Sequence, residues 1–225
     1  MADQLYLSLW FPNFRFDTLP AALVSVLRQF ALISGDKRVA AATVYPISFN
    51  EAPTYQRIYV TDSRSEDTSG SIIENAVAEA TEQLHDDMAY EFEMRWKLWA
   101  PEGSEGHEAP EARPEEESAH LDTLWKLQPA TVRILGLGPQ FDDASFEQNG
   151  HIRIDFGLDT PWLAETLADE DLDALATKHI QQNVEMLLAF TLSVEKNCNI
   201  SSRLLWTESG EPLAQKLIDR LQRVN

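Results

Sequence analysis

A single cysteine, Cys198, occurs among 225 residues. No disulfide can form within the chain, and no second thiol is present to build a structural zinc site. Basic residues are also few. There are 18 lysines and arginines against 37 aspartates and glutamates, a formal net charge of −19. That charge opposes phosphate backbones and anionic lipid surfaces, so neither nucleic acid nor a membrane is an expected partner. A basic protein surface would be attracted, although solubility alone is the plainer use of such a charge. No uninterrupted apolar run approaches the ~18 residues of a bilayer span. The opening stretch MADQLYLSLWFPNF lacks a basic segment followed by a long apolar one. A chain without a signal peptide, resident in the cytoplasm, is expected. There is no internal repeat of fixed period and no G-x-S-x-G nucleophile turn.

What is present is organised around Ala89–Trp99, AYEFEMRWKLW. Tyr90, Phe92, Met94, Trp96 and Leu98 alternate with Glu91, Glu93, Arg95 and Lys97. Successive side chains on a strand point to opposite faces, so this period predicts a central strand with one buried and one wet face.

Before it, Leu5, Leu7 and Leu9 alternate with Tyr6, Ser8 and Trp10 as a first strand ending at Pro12. Asp17 or Thr18 can cap a helix that tolerates Pro20 in its first turn, with Leu19, Leu23, Val26, Leu27 and Phe30 at helical spacing. Gly35 and Asp36 stop it. Val39–Phe49 and Tyr55–Val60 flank the turn residues Asn50-Glu51-Ala52-Pro53, a hairpin pattern. Ser63–Gly70 is polar loop. Ser71 and Glu74 have capping-box spacing ahead of the stripe Ile73, Ala76, Val77, Ala80 and Leu84.

The predicted order to this point is β-α-β-β-α-β. It predicts an α+β fold built on a split βαβ (ferredoxin-like) antiparallel sheet with helices on one face. Such a scaffold carries little functional information of its own.

From Pro101 to His120 the sequence is PEGSEGHEAPEARPEEESAH, with seven glutamates against one arginine and no large apolar side chain. It cannot bury enough to offset its ordering entropy, which predicts an acidic linker or excursion loop over 101–120. Residues 1–100 then form the βαββαβ domain. Residues 121–225 form a smaller α+β domain or an extension of the first sheet. In that second half Leu121–Leu127, Thr131–Leu137, His151–Leu158 and Ile200–Thr207 look extended. Thr160-Pro161 resembles a helix start, and Asp169 or Asp171 can cap a longer helix. Its stripe is Leu172, Leu175, Ala176, Ile180, Val184, Leu187, Leu188 and Thr191. Pro212 opens a last helix with Leu213, Leu217, Ile218, Leu221 and Val224 on one side.

The strongest candidate cluster is His151, Arg153 and Asp155. At period two they share a strand face, where a histidine between a cation and a carboxylate can work as an acid–base group. The alternative is an ordinary solvent face. His179 lies near the apolar stripe of the long helix, as a ligand-pocket residue or as a half-buried core histidine. His85 precedes Asp86 and Asp87 near a helix end, which favours interaction with the dipole. His107 and His120 fall in the acidic tract and match no zinc spacing. Asp142, Asp143, Glu147 and Asn149 lack the register of a calcium loop. Gly136-Leu137-Gly138-Pro139 is a turn, too short for a phosphate cradle. Cys198 is a buried or idle thiol. Of the six tryptophans, those at element edges mark either a contact surface or burial between the halves. No metal or cofactor is implied.

Three functions follow. One is a non-catalytic interaction module presenting an acidic surface to a basic protein partner, as an immunity-type inhibitor or an assembly adaptor does. Another is a small-ligand binder or enzyme with a pocket between the halves, lined by His151, Arg153, Asp155 and His179. A structural subunit of a homo-oligomer is a third.

Overall fold

The computed structural model describes residues 3–59, 71–101, 125–142, 149–163 and 174–209. The acidic tract with His107 and His120, the loop at 63–70, Asp143 and Glu147, the capping residues Asp169 and Asp171, and the helix expected after Pro212 lie outside the described residues.

The fold is mixed α+β. Strands β1 (Gln4–Trp10), β2 (Ala41–Pro46), β3 (Tyr55–Ile58), β4 (Met88–Pro101), β5 (Trp125–Leu137), β6 (Ile152–Leu158) and β7 (Ser202–Thr207) form one sheet. Its order is β3-β2-β4-β5-β6-β1-β7, and every pairing is antiparallel. The helices are α1 (Leu19–Ser34), entered through a 3-10 turn at Phe16–Thr18, α2 (Ser71–Ala80), α3 (Thr160–Leu163) and α4 (Ala174–Asn197).

β4 is central, and its alternation is obeyed on the helix-covered side. Tyr90, Phe92, Met94, Trp96 and Leu98 are all at most 2 % exposed. Leu5, Leu7 and Leu9 of β1, Val132 and Ile134 of β5, and Ile152, Ile154 and Phe156 of β6 continue that face into one core. Trp96 stacks on Phe156 and packs against Phe30 of α1 and Trp162 of α3. α1 buries Leu19, Leu23, Val26, Leu27, Phe30 and Ala31, and ends where Gly35 turns left-handed and donates its amide to Ala31. By length and composition the segment Phe16–Ser34, with mean hydropathy 1.4, would also span a bilayer. Here its most apolar stripe faces the sheet, and such a helix is apolar because it has neighbours on several sides. Arg28 of α1 pairs with Glu74 of α2.

The pairing of a split βαβ unit, with β1 beside β4, is not the one adopted. β4 gives one edge to β2 and the other to β5, which pairs with it from Ala89↔Leu137 to Pro101↔Trp125. Over Met88–Glu93 both edges of β4 are taken, and β1 inserts between β6 and β7. Strands from both sides of the acidic tract therefore share one sheet. Residues 125–137 form one strand where two were expected. Pro129 is tolerated because β6 pairs only with Arg133–Gly136, so among the described residues the proline faces an edge with no strand neighbour. α2 stops at Ala80, one turn short of Leu84.

The other face of the sheet is not uniformly wet. Ala89, Leu135, Leu137 and Phe141 form a second small core there with Tyr45. Glu91, expected in water, is only 8 % exposed.

Candidate ligand site on the helix-free face

Register alone aligns two rows of side chains across the sheet face that carries none of the described helices, the helix-free face. One runs Thr43, Glu91, Leu135, Arg153, Ser8, Leu204. The next runs Ala41, Glu93, Arg133, Asp155, Tyr6, Trp206. Neighbouring strands are about 4.8 Å apart, so members of a row stand side by side. In the second row Arg133 lies between two carboxylates, 3.6 Å from Glu93 and 3.8 Å from Asp155. In the first row Leu135 lies between the longer Glu91 and Arg153, and the space above it is open.

That space is a cavity of about 290 Å³ lined by Tyr45, Phe49, Glu91, Glu93, Arg133, Leu135, Arg153 and Asp155. One end is closed by two loops. Ile47, at φ 61°, donates its amide to Asp87 and accepts that of Asp142, both at 2.7 Å. This sets Phe49 edge-on against Tyr45 and Phe141.

Arg153 is the least committed charge in the cavity. Its guanidinium carbon stands 5.4 Å from the Tyr6 ring and 5.5 Å from the Phe49 ring, a cation held between two π-faces. Its Nε is buried with no hydrogen-bond partner, and among the described residues no carboxylate lies within 4 Å of it. Asp155 is more constrained, since its Oδ1 accepts the Gly157 amide at 2.8 Å. Burial pushes the Glu91 carboxyl above the ordinary carboxylate range, partly opposed by the charge of Arg133. Burial, then the Glu91 charge, pushes the Tyr45 hydroxyl up.

Of the cluster expected from sequence, Arg153 and Asp155 line this cavity and His151 does not. The His151 Nδ1 accepts the Phe11 amide at 2.9 Å, and its ring stacks on Phe14 at 4.0 Å. An imidazole that accepts through Nδ1 is the Nε2–H tautomer. Burial lowers its pKa from 6.5 to about 4. A depressed histidine pKa means that the unfolded chain binds more protons between these values. The stability His151 contributes is thus complete above about pH 6.5 and lost as pH falls towards 4. The full shift is worth about 3 kcal/mol, and the half-buried ring reduces this to about 1–2 kcal/mol. His151→Asn keeps an acceptor without the titration. Denaturant titrations between pH 7 and 4 should show wild type losing about 1–2 kcal/mol more than this variant. Parallel pH profiles for the two would assign the acid sensitivity elsewhere.

His179 lies at the far end of β4, apart from the cavity. It stacks on Trp99 at 3.8 Å and Trp125 at 5.6 Å, with Gln182 beside its Nδ1. Cys198 is buried and accepts the Ser25 hydroxyl at 3.3 Å, and burial pushes its thiol up. His85 donates its amide to the Tyr90 hydroxyl. Trp206 packs tilted against Tyr6, ring centroids 4.6 Å apart, and donates to Ser8. Among the described residues no group of three or more metal-ligating side chains is assembled.

Sequence reasoning missed Glu91, Glu93 and Arg133 as site residues, and Tyr45 and Phe49 with them. The signal for all but Phe49, which lies in the loop after β2, was their position in strands at odd–even spacing. Turning parity into neighbours needed the strand order, which the pattern does not carry. No family model matches the chain, and no curated protein or solved structure matches it either.

Proposed function

We propose that the chain is a binding protein whose ligand site is the cavity on the helix-free sheet face. One observation carries this reading: among the described residues no carboxylate lies within 4 Å of Arg153, inside a concavity where Arg133 already stands between Glu93 and Asp155. A guanidinium without a carboxylate partner, beside one that already has two, is the charge there best able to take an anionic acceptor. Aromatic walls and a few convergent polar groups are the usual makeup of small-molecule sites. The volume, about 290 Å³, suits a small ligand.

The test is a thermal-shift screen of the full chain against amino acids, hydroxy acids, dicarboxylates, polyamines and nucleosides. A true ligand raises the melting temperature as its concentration exceeds Kd. The expected result is at least one saturable stabiliser that has no effect on Arg153→Met, whose side chain keeps the length and apolar contacts of the arginine. Stabilisers that act equally on both proteins, or none at all, would remove the cavity as the site.

The net charge of −19 favours a second reading, docking to a basic protein partner. Such association should slow steeply with added salt, because screening removes the steering. A cytoplasmic setting is part of that reading.

A further inference from the structure

Resting on the cavity as a ligand site, the charges around it narrow the ligand's chemistry. Arg133 and Asp155 are largely engaged, the first between two carboxylates and the second with the Gly157 amide. The pair without an ion-pair partner is Glu91 and Arg153, with the Tyr45 hydroxyl beside the Glu91 carboxyl. Neither has an oppositely charged group within 4 Å among the described residues. They occupy one cross-strand row with Leu135 between them. Two strand spacings place their backbones about 10 Å apart, with the open space in the middle.

A simple carboxylate bound to Arg153 would face Glu91 and Glu93 across the cavity. A simple amine beside Glu91 would face Arg153. Either leaves a like charge opposed at short range, in a site where water is partly excluded and such opposition is costly. A molecule carrying both charges a few ångströms apart satisfies both ends. The remaining wall, Tyr45 and Phe49 over Leu135, is aromatic and apolar. We infer that the cavity binds a free α-amino acid with an apolar or aromatic side chain, its carboxylate on Arg153 and its ammonium towards Glu91. A chain terminus supplies only one of the two charges and is disfavoured by the same reasoning.

The carboxyl of Glu91 is held up by burial. An ammonium beside it favours the ionised form, so ligand and proton compete for this end of the site. Glu91→Gln removes a charge that burial opposes, which makes it a variant expected to fold.

The experiment is calorimetric titration of the full chain with L-phenylalanine, L-leucine, 3-phenylpropanoate and 2-phenylethylamine. The two amino acids should bind saturably, and each phenylalanine analogue lacking one charge should bind at least tenfold more weakly. Glu91→Gln should erase the preference for phenylalanine over 3-phenylpropanoate. Arg153→Met should erase the preference over the amine, with an unchanged circular dichroism spectrum showing that it is folded. If 3-phenylpropanoate binds as tightly as phenylalanine, the zwitterion assignment is wrong and the cavity stands as a carboxylate site. If the screen finds other Arg153-dependent ligands while all four of these compounds fail, the assignment also falls and only the cavity survives. If nothing binds in either experiment, both go.

Discussion

Asn183→Ala should lower the unfolding free energy by about 3–5 kcal/mol, more than a single exposed hydrogen bond could account for. The reason lies at the end of β4. β2 accompanies β4 only as far as Glu93, so beyond that residue one edge of β4 has no strand neighbour among the described residues. Asn183 of α4 takes that place. Its Oδ1 accepts the Trp99 amide at 2.9 Å, and its Nδ2 donates to the Trp99 carbonyl at 2.8 Å, which is the two-point pairing of a strand partner made by one side chain. The same Nδ2 donates to the Pro161 carbonyl at 2.8 Å, fastening α3 to the same point. Asn183 is 2 % exposed, so truncation leaves one donor and two acceptors short of a partner in a dry region. Each such group costs about 1–3 kcal/mol. The melting temperature should fall by about 10 °C for a chain of this size. Asn183→Asp separates polarity from packing. It keeps the shape and the acceptor but turns the donor into an oxygen facing two carbonyls. At neutral pH it should be at least as damaging as alanine, and at acid pH the protonated carboxyl should recover part of the loss by donating one bond. An aspartate variant as stable as wild type would mean that the site is held by packing alone.

Asn183 also marks the limit of what the chain discloses before it is folded. The period-two alternation of β4 and the helical stripe of α1 were legible because burial on one face leaves a local trace. The seven-stranded order was not legible. Nothing in β1 distinguishes β4 from β6 as its partner, and the outcome depends on which edges are already occupied. Asn183 lies within the apolar stripe of α4 and reads as a weak helix former. Its value comes from a backbone edge 84 residues away in the chain. The candidate site divides in the same way. Arg153 and Asp155 were visible as a period-two cluster and do line the cavity, whereas His151, with identical spacing, turns its ring onto Phe14 and the Phe11 amide. Spacing places side chains on a face. What they meet there depends on loops that carry no periodicity.

Those loops supply the other large effect, at Gly138. Sequence places it in a turn, where substitution is usually mild. In the fold it is a close crossing. A Cβ at Gly138 would stand 2.3 Å from the Asp86 carbonyl oxygen and 2.7 Å from that of Met88, and the glycine amide itself donates to Met88 at 2.8 Å. Backbone cannot move aside as a side-chain end can, so Gly138→Ala should cost about 3 kcal/mol or more. Gly136 is the internal control, two residues earlier and still within β5. The nearest atoms to its Cβ would be methyl groups of Leu19 and Leu23, the first at 2.9 Å. Flexible side chains yield, so Gly136→Ala should cost about 1–2 kcal/mol. The Gly138 crossing also seats the chain leading to Phe141 and Asp142, which in turn hold Phe49 and Ile47 over the cavity. Gly138→Ala should therefore loosen the cavity's closed end beyond its effect on global stability. Hydrogen exchange at the Ile47 and Asp142 amides should accelerate more than at the β4–β5 ladder. Equal acceleration everywhere would show that the crossing supports the sheet alone and has no separate hold on the site.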